Sequence, residues 1–311
     1  MIATSVAVRD RLDRRAGGST DTLRVVCAAE LGPVCDALRR TTATVTVEPA
    51  PVTADRLASA DDPGIDGWLA PAPWPQIVDG RRRGSAPLFV DIGAPLARSP
   101  LVLVVSRAVA DALGPRCGGA VGWKCLGDAA ISGSAKPSHD DPAADAIGTL
   151  VVGQATAAFF GRSDDLSTLD LTDPGFARWL EGLERAAPAP ASGASPLNDM
   201  LGTNFSASNA VGTTEAEASI VTAPAVRDRV VLLYPSPMAT ADVVLASAGR
   251  GTARRLREVA GGSAVRDALA GAGWRVGDGT RAGAPPLPPT SGLPSPGFLD
   301  ALRSRAVEVR R

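Results

Sequence analysis

The sequence predicts an α/β protein with a mostly parallel sheet, and three observations carry that expectation. The runs 23–27 (LRVVC) and 44–48 (TVTVE) are short and β-branched, and between them 31–40 keeps a helical spacing opened by Gly32-Pro33. A strand–helix–strand rhythm of this kind builds parallel pairs joined by right-handed crossovers. The run 100–105 (PLVLVV) is apolar at every position, as a central strand covered on both faces must be. With 45% hydrophobic and 21% charged residues among 311, the chain can build a packed core and has room for two domains.

The remaining elements follow in order. The run 66–69 (DGWL) reads as a third strand, followed by a Pro- and Trp-rich loop at 70–75. A helix is expected at 106–113, behind the central strand. Further on, 122–130 (GWKCLGDAA) opens a helix and 147–160 (IGTLVVGQATAAFF) is an apolar one. The segment 173–185 is amphipathic, with Phe176, Trp179, Leu180 and Leu183 on one face. The stretch 187–195 (APAPASGAS) is a linker by composition, and 209–223 holds a helix-and-strand pair ending in SIVTA. A returning strand at 229–234 passes through a Tyr-Pro turn into a second apolar strand and a helical run, ARRLREVAGGSAVRDALAGAGW. The proline-rich GDGTRAGAPPLPPTSGLPSPG is expected to lie extended over the surface before a last helix at 298–309.

Composition excludes several classes of function. Thirty-two basic residues against 33 acidic ones leave no electrostatic case for a nucleic-acid partner. No apolar run reaches the ~18 residues a transmembrane segment needs. The polar lead-in 1–21 lacks the apolar core of a signal peptide, so an extracellular or cell-surface protein would carry its signal or lipoprotein anchor outside this sequence. The cysteines form two close pairs, Cys27/Cys35 and Cys117/Cys125, without metal-site spacing, and the single histidine cannot complete a Cys2His2 set. They are either two local disulfides, each closing a short loop worth ~2–3 kcal/mol, or four reduced, buried thiols. No glycine fingerprint for a dinucleotide and no phosphate loop is present, and no cofactor or metal is expected. His139 follows a serine, but no Gly-x-Ser-x-Gly elbow supplies a nucleophile, so the chain is not expected to be an enzyme.

Eight segments, in order, resemble the type 2 periplasmic (extracellular) solute-binding proteins of bacterial ABC transporters. They are LRVVCAAELGPVCDAL, GWLAPAPWPQIVD, LARSPLVLVVSR, GWKCLGD, KPSHDDPAADAIGTLVV, TTEAEASIVTA, LLYPSPM and GAGWRV. The resemblance implies two lobes, each a mostly parallel sheet flanked by helices, joined by two hinge crossings near 101–105 and 229–234 that lie side by side. Lobe 1 would comprise 22–104 and 229–311, and lobe 2 would comprise 105–228. It implies a monomeric receptor that catalyses nothing, captures a small-molecule or ion ligand in the cleft and works with an ABC permease. The alternative is an extracellular ligand-sensing domain of a larger membrane-anchored signalling or surface protein.

The Lys136–Pro142 region is similar to that of molybdate- and sulfate-type binders. Such binders present serine hydroxyls and helix amides after the first strand. This chain has Ala28-Ala29-Glu30 there, and a glutamate repels an oxyanion, which suits a cationic, zwitterionic or sugar-like ligand better. Ligands of open α/β sheets bind beyond the carboxyl ends of strands, which nominates five loops. The candidates are Ala29 and Glu30; Trp74, beside Trp68; Arg98 and Ser99, where the family contributes a contact; Ser138, His139 and Asp140; and Thr214 and Glu215 with Tyr234. Each has a structural reading beside the functional one: Glu30 as a helix N-terminal carboxylate, Trp74 as core, Arg98 as an ion-paired surface residue, and Ser138 or Asp140 and Thr214 as caps.

Overall fold

The computed structural model describes residues 22–41, 43–60, 63–82, 84–188, 195–219 and 223–310. The lead-in 1–21, most of the 187–195 linker and residues 220–222 of SIVTA lie outside them. In chain order the elements are β1 (Leu23–Ala28), α1 (Gly32–Arg39), β2 (Ala43–Glu48), α2 (Ala50–Ser59), β3 (Gly67–Ala72), α3 (Trp74–Arg81), β4 (Asp91–Ile92) and β5 (Ala97–Ser106). Then come α4 (Arg107–Leu113), α5 (Trp123–Ile131), β6 (Pro137–Ser138), α6 (Ala146–Phe160), α7 (Pro174–Ala186), α8 (Pro196–Gly202), β7 (Ala210–Thr214), α9 (Glu215–Ala218) and α10 (Pro224–Arg227). The chain closes with β8 (Val230–Leu233), β9 (Thr240–Ser247), α11 (Ala253–Ala260), α12 (Ser263–Gly271), β10 (Arg275–Val276) and α13 (Pro296–Arg310).

Local chemistry accounts for most of these boundaries. α7 begins where Asp173 accepts the Phe176 amide and Pro174 takes the first helical position, whose N–H needs no partner. Its buried face is Phe176, Trp179, Leu180 and Leu183, as the spacing predicts. α6 is capped by Asp145, which accepts from the Ile147 amide, and ends at Gly161 in the left-handed region (φ 67°).

Five expectations are corrected. The sheet is mixed and not mostly parallel: β1–β2, β1–β3 and β6–β7 pair parallel, whereas β5 and β9 run antiparallel to each of their neighbours, because the chain crosses on β5 and returns on β8 and β9. The loop at 70–75 is structured: β3 continues to Ala72 against β9, and Trp74 opens α3 with a proline in its first turn. The helix α2 is absent from the sequence reading, because its start, Ala-Pro after Pro49, resembles a turn. In 209–223 the strand precedes the helix. The single helical run after β9 is two helices, parted at Gly261-Gly262.

The strands run in the order β2-β1-β3-β9-β5-β7-β6, with β4 on β9 and with β8 and β10 on β5. β1 pairs parallel with β2 and β3, while β9 returns antiparallel between β3 and β5. β5 belongs to both lobes. Arg98 and Pro100 pair with Asp242 and Thr240 of β9, whereas Leu101–Val105 pairs with β7 and, from Leu103 on, with β8. Leu103 faces Leu233 and Val105 faces Val231, so the two crossing segments lie side by side. Residues 101–105 are fully buried, each worth ~1.5–3 kcal/mol of apolar transfer. The hinge strand is thus among the best-packed parts of the chain.

Both cysteine pairs are disulfides, with Cα–Cα distances of 5.7 Å. Cys27–Cys35 ties the end of β1 to α1 under the turn that carries Glu30. The last helix, α13, packs against α3 on one side and α6 and α7 on the other. Arg81 of α3 donates to Asp300, Arg303 lies over the Trp74 ring and donates to the Pro142 carbonyl at 2.8 Å, and Arg310 pairs with Glu184 of α7. α13 is a clasp laid across both lobes.

Candidate functional site

A cavity of about 380 Å³ opens between the lobes. The first lobe supplies Glu30, Leu31, Pro33 and Trp274; the second supplies Asp140, Asp145, Ile147, Thr214 and Glu217. Four of these are carboxylates, and among the described residues no basic side chain lines the cavity.

Glu30 sits in a short 3-10 turn immediately after β1, which points it across the cleft. One of its oxygens accepts from the Ala50 amide at 3.1 Å and from the Ala146 amide at 2.7 Å. Those are the first residues of α2 in lobe 1 and α6 in lobe 2. One carboxylate therefore caps two helices from opposite lobes, and both positive helix ends face it. Burial nevertheless pushes the Glu30 carboxyl above its ordinary range, outweighing the amides that favour the charged form.

Asp140 faces Glu30 from the second lobe. Its backbone is held close to α6 because Gly148 has no Cβ to meet the Asp140 carbonyl. Burial, then the charges of Glu217 and Glu30, push its carboxyl up to about 7, against the opposing pull of Arg310. Asp145 is raised well above its usual value by burial and by Asp140 and Glu30, although it caps α6. Glu217, in the first turn of α9, is held by the Thr213 hydroxyl and gives its amide to Thr214 Oγ1 at 3.1 Å.

The structure brings Glu30, Asp140 and Thr214 together at the cavity. The other candidates are engaged elsewhere. Ala29 opens the same turn but is exposed and does not line the cavity. Trp74 is completely buried beneath Arg303 of α13. Arg98 donates to Asp242 at 3.0 Å, to Thr240 Oγ1 at 3.0 Å, and to the carbonyls of Pro288 at 2.7 Å and Thr290 at 2.8 Å. Its fork fastens the proline-rich segment to the hinge. Ser99 is buried and accepts the Ala216 amide, and Ser138 is buried in β6.

His139 is 1% exposed, with Nδ1 at 2.8 Å from the Asp140 carbonyl and Nε2 at 3.1 Å from Glu184. Glu215, 2% exposed, is clamped by Arg275 and Arg281, and burial beside it raises the Tyr234 phenol. These polar groups meet partners within the protein, at the hinge or under the clasp. A larger cavity of about 500 Å³ beside the proline-rich segment is lined by Arg98, Arg275 and Arg281, whose guanidinium groups are already committed.

Asp145, Glu217, Ile147 and Trp274 were missed from sequence. Asp145 stands directly before the apolar helix 147–160, so its capping role was legible. Its place in the cleft depends on how lobe 2 closes over Glu30.

Sequence comparison gives no match, neither to a family model nor to a characterised protein. Structure comparison does. The fold matches a periplasmic thiamin-binding protein at a TM-score of 0.58 and 13% identity, over 93% of this chain and 96% of that one. It matches an ABC transporter structure from Clostridium perfringens ATCC 13124 at 0.59 and 12% identity, over 92% and 98%. It matches FutA2 from Synechocystis PCC6803 at 0.55 and 14% identity, over 94% and 98%. The fold is that of the two-lobed type 2 periplasmic binding proteins. Among the described residues no helix is long and apolar enough to cross a membrane.

Proposed function

We propose that this chain is an extracytoplasmic solute-binding protein that captures a small ligand between its lobes and delivers it to an ABC-type permease. The observation that carries the reading is the cavity itself, walled from both lobes, with Thr214 of its wall paired to Leu101 of the crossing strand β5. A ligand there touches both lobes at once, so it favours the closed form by the contacts only that form makes. His139 is buried and committed to Glu184 and Arg310, an arrangement that supports a structural role for the histidine and fits binding better than catalysis.

The reading is tested by a thermal-shift screen of the purified chain against thiamin, amino acids, polyamines, sugars and oxyanions, followed by small-angle scattering with and without each hit. A ligand at a hundred times its dissociation constant stabilises the fold by about 2.7 kcal/mol. A hit that also contracts the particle supports capture between lobes. A hit whose stabilisation survives alteration of the cavity walls refutes it.

A further inference from the structure

We infer that the inter-lobe cavity takes a small organic cation, and that Glu30 sets this charge class by occupying with its own carboxylate the helix amides that would otherwise receive an anion. The inference rests on the capture reading above and names the ligand's chemistry. Two separate observations carry it. First, the amides of Ala50 and Ala146 are the features of this cleft best suited to an anion, and both already bond Glu30, at 3.1 and 2.7 Å. An incoming anion finds those amides filled and meets three further carboxylates.

Second, among the described residues the cavity wall carries four carboxylates and no basic side chain. The Asp140 carboxylate makes no hydrogen bond or ion pair with another described residue, although it lies largely buried in the cavity wall. The charged groups around it are Glu30 on the turn after β1, Asp145 at the start of α6, Glu217 on α9 and Arg310 at the end of α13. Arg310 is itself committed to Glu184 and lies 3.9 Å from Asp141. The carboxyls of Asp140, Asp145 and Glu30 are all raised, as they are when buried negative charges lack a counter-ion.

The apolar part of the wall points to an organic cation: Leu31, Pro33, Ile147 and the Trp274 indole suit alkyl or aromatic groups around a charged nitrogen, with Thr214 and Ser195 as the neutral polar groups beside them.

The test uses choline, whose charge does not change with pH, and putrescine as probes on the full chain at pH 8. Sodium chloride at matched ionic strength is the control, and sodium sulfate, glucose and glycine are the competing classes. Choline or putrescine is expected to raise the thermal midpoint beyond the salt control, and sulfate is not. Asp140→Asn, which breaks no bond to another residue, is expected to weaken cation binding at least tenfold. It should also raise the midpoint of the unliganded protein at pH 8, because repulsion is relieved; a purely structural aspartate would give the opposite sign.

Choline binding is further expected to release protons near pH 7 and to weaken about tenfold per pH unit below it, because Asp140 must ionise. Calorimetry in buffers of different ionisation enthalpy reads the protons directly. If glucose, glycine or sulfate binds and Asp140→Asn leaves that binding intact, the charge assignment is overturned and capture stands. If neither probe exceeds the salt control, the assignment is overturned. If the three competing solutes are silent as well, the capture reading loses its support with it.

Discussion

The clasp formed by α13 yields the prediction with the largest effect. Glu184 is 1% exposed and lies between the His139 ring and the Arg310 guanidinium, the last described residue of the chain. Glu184→Ala removes the carboxylate that both groups share and strands the guanidinium against buried surface. Breaking a buried pair from one side costs about 3–5 kcal/mol, because the remaining charge keeps its desolvation penalty. With unfolding entropy near 2.1 cal/mol/K per residue, a chain of 311 residues should lose about 5–8 °C in thermal midpoint.

The assay is calorimetry on Glu184→Ala, Arg310→Ala and the double variant. If the pair is coupled, the double variant is less damaged than the sum of the singles by about 2 kcal/mol. Additivity within about 0.5 kcal/mol would refute the clasp as an energetic unit. The pH dependence has a fixed sign. Burial pushes the Glu184 carboxyl up, but His139 and Arg310 together pull it below its ordinary value of 4.5. A lowered carboxyl stabilises above its unfolded pKa and loses that contribution as pH falls through its folded one. The gap between wild type and Glu184→Ala should therefore hold at pH 5–8 and narrow only below about pH 4.5.

Three further outcomes are expected. Replacing Cys27 and Cys35 together by alanine should cost about 2.5 kcal/mol, from the short loop the bond closes, read by denaturant unfolding. Gly148→Ala places a methyl against the Asp140 carbonyl. It should cost about 1–3 kcal/mol by overpacking and, by moving Asp140, weaken ligand more than it destabilises the fold. Gly212→Ala meets Trp123 and Val151 at about the same stability cost but does not line the cavity, so ligand affinity should fall less than in Gly148→Ala.

The fold was largely legible because its strongest signals are local. The all-apolar 100–105 run could only be a central strand, and the capped, amphipathic 173–185 could only be a surface helix. The errors fall where one residue type serves two purposes. Pro71 and Pro73 read as a loop, yet Pro71 sits inside β3 and Pro75 fits the first turn of α3, where a missing N–H costs nothing. The site was legible in its first-strand turn and hardly beyond. Arg98, His139 and Glu215 carry the chemistry a ligand needs, but each is consumed by residues 45 to 192 positions away in sequence, and no local pattern announces such partners.

Glu30 is where local reading and long-range packing meet, and it supports a last prediction. Its sequence position shows a carboxylate where anion binders place hydroxyls. Only the folded chain shows that this carboxylate holds the amides of Ala50 and Ala146 from opposite lobes. Glu30→Ala should lose two charge-assisted hydrogen bonds, each worth about 1.5–3 kcal/mol, and recover part of that because a buried charge is no longer desolvated. The raised Glu30 carboxyl marks that recovery as substantial, so a net loss of about 1–3 kcal/mol is expected. The vacated space is the size of a small carboxylate and keeps two donors. Acetate, but not chloride at the same ionic strength, should therefore restore part of the thermal midpoint of Glu30→Ala and leave the wild type unmoved. Glu30→Gln keeps an acceptor for both amides without the charge, so it should be milder than alanine and insensitive to acetate. Equal behaviour of the two variants with no acetate effect would mean that the carboxylate is a bystander between the lobes.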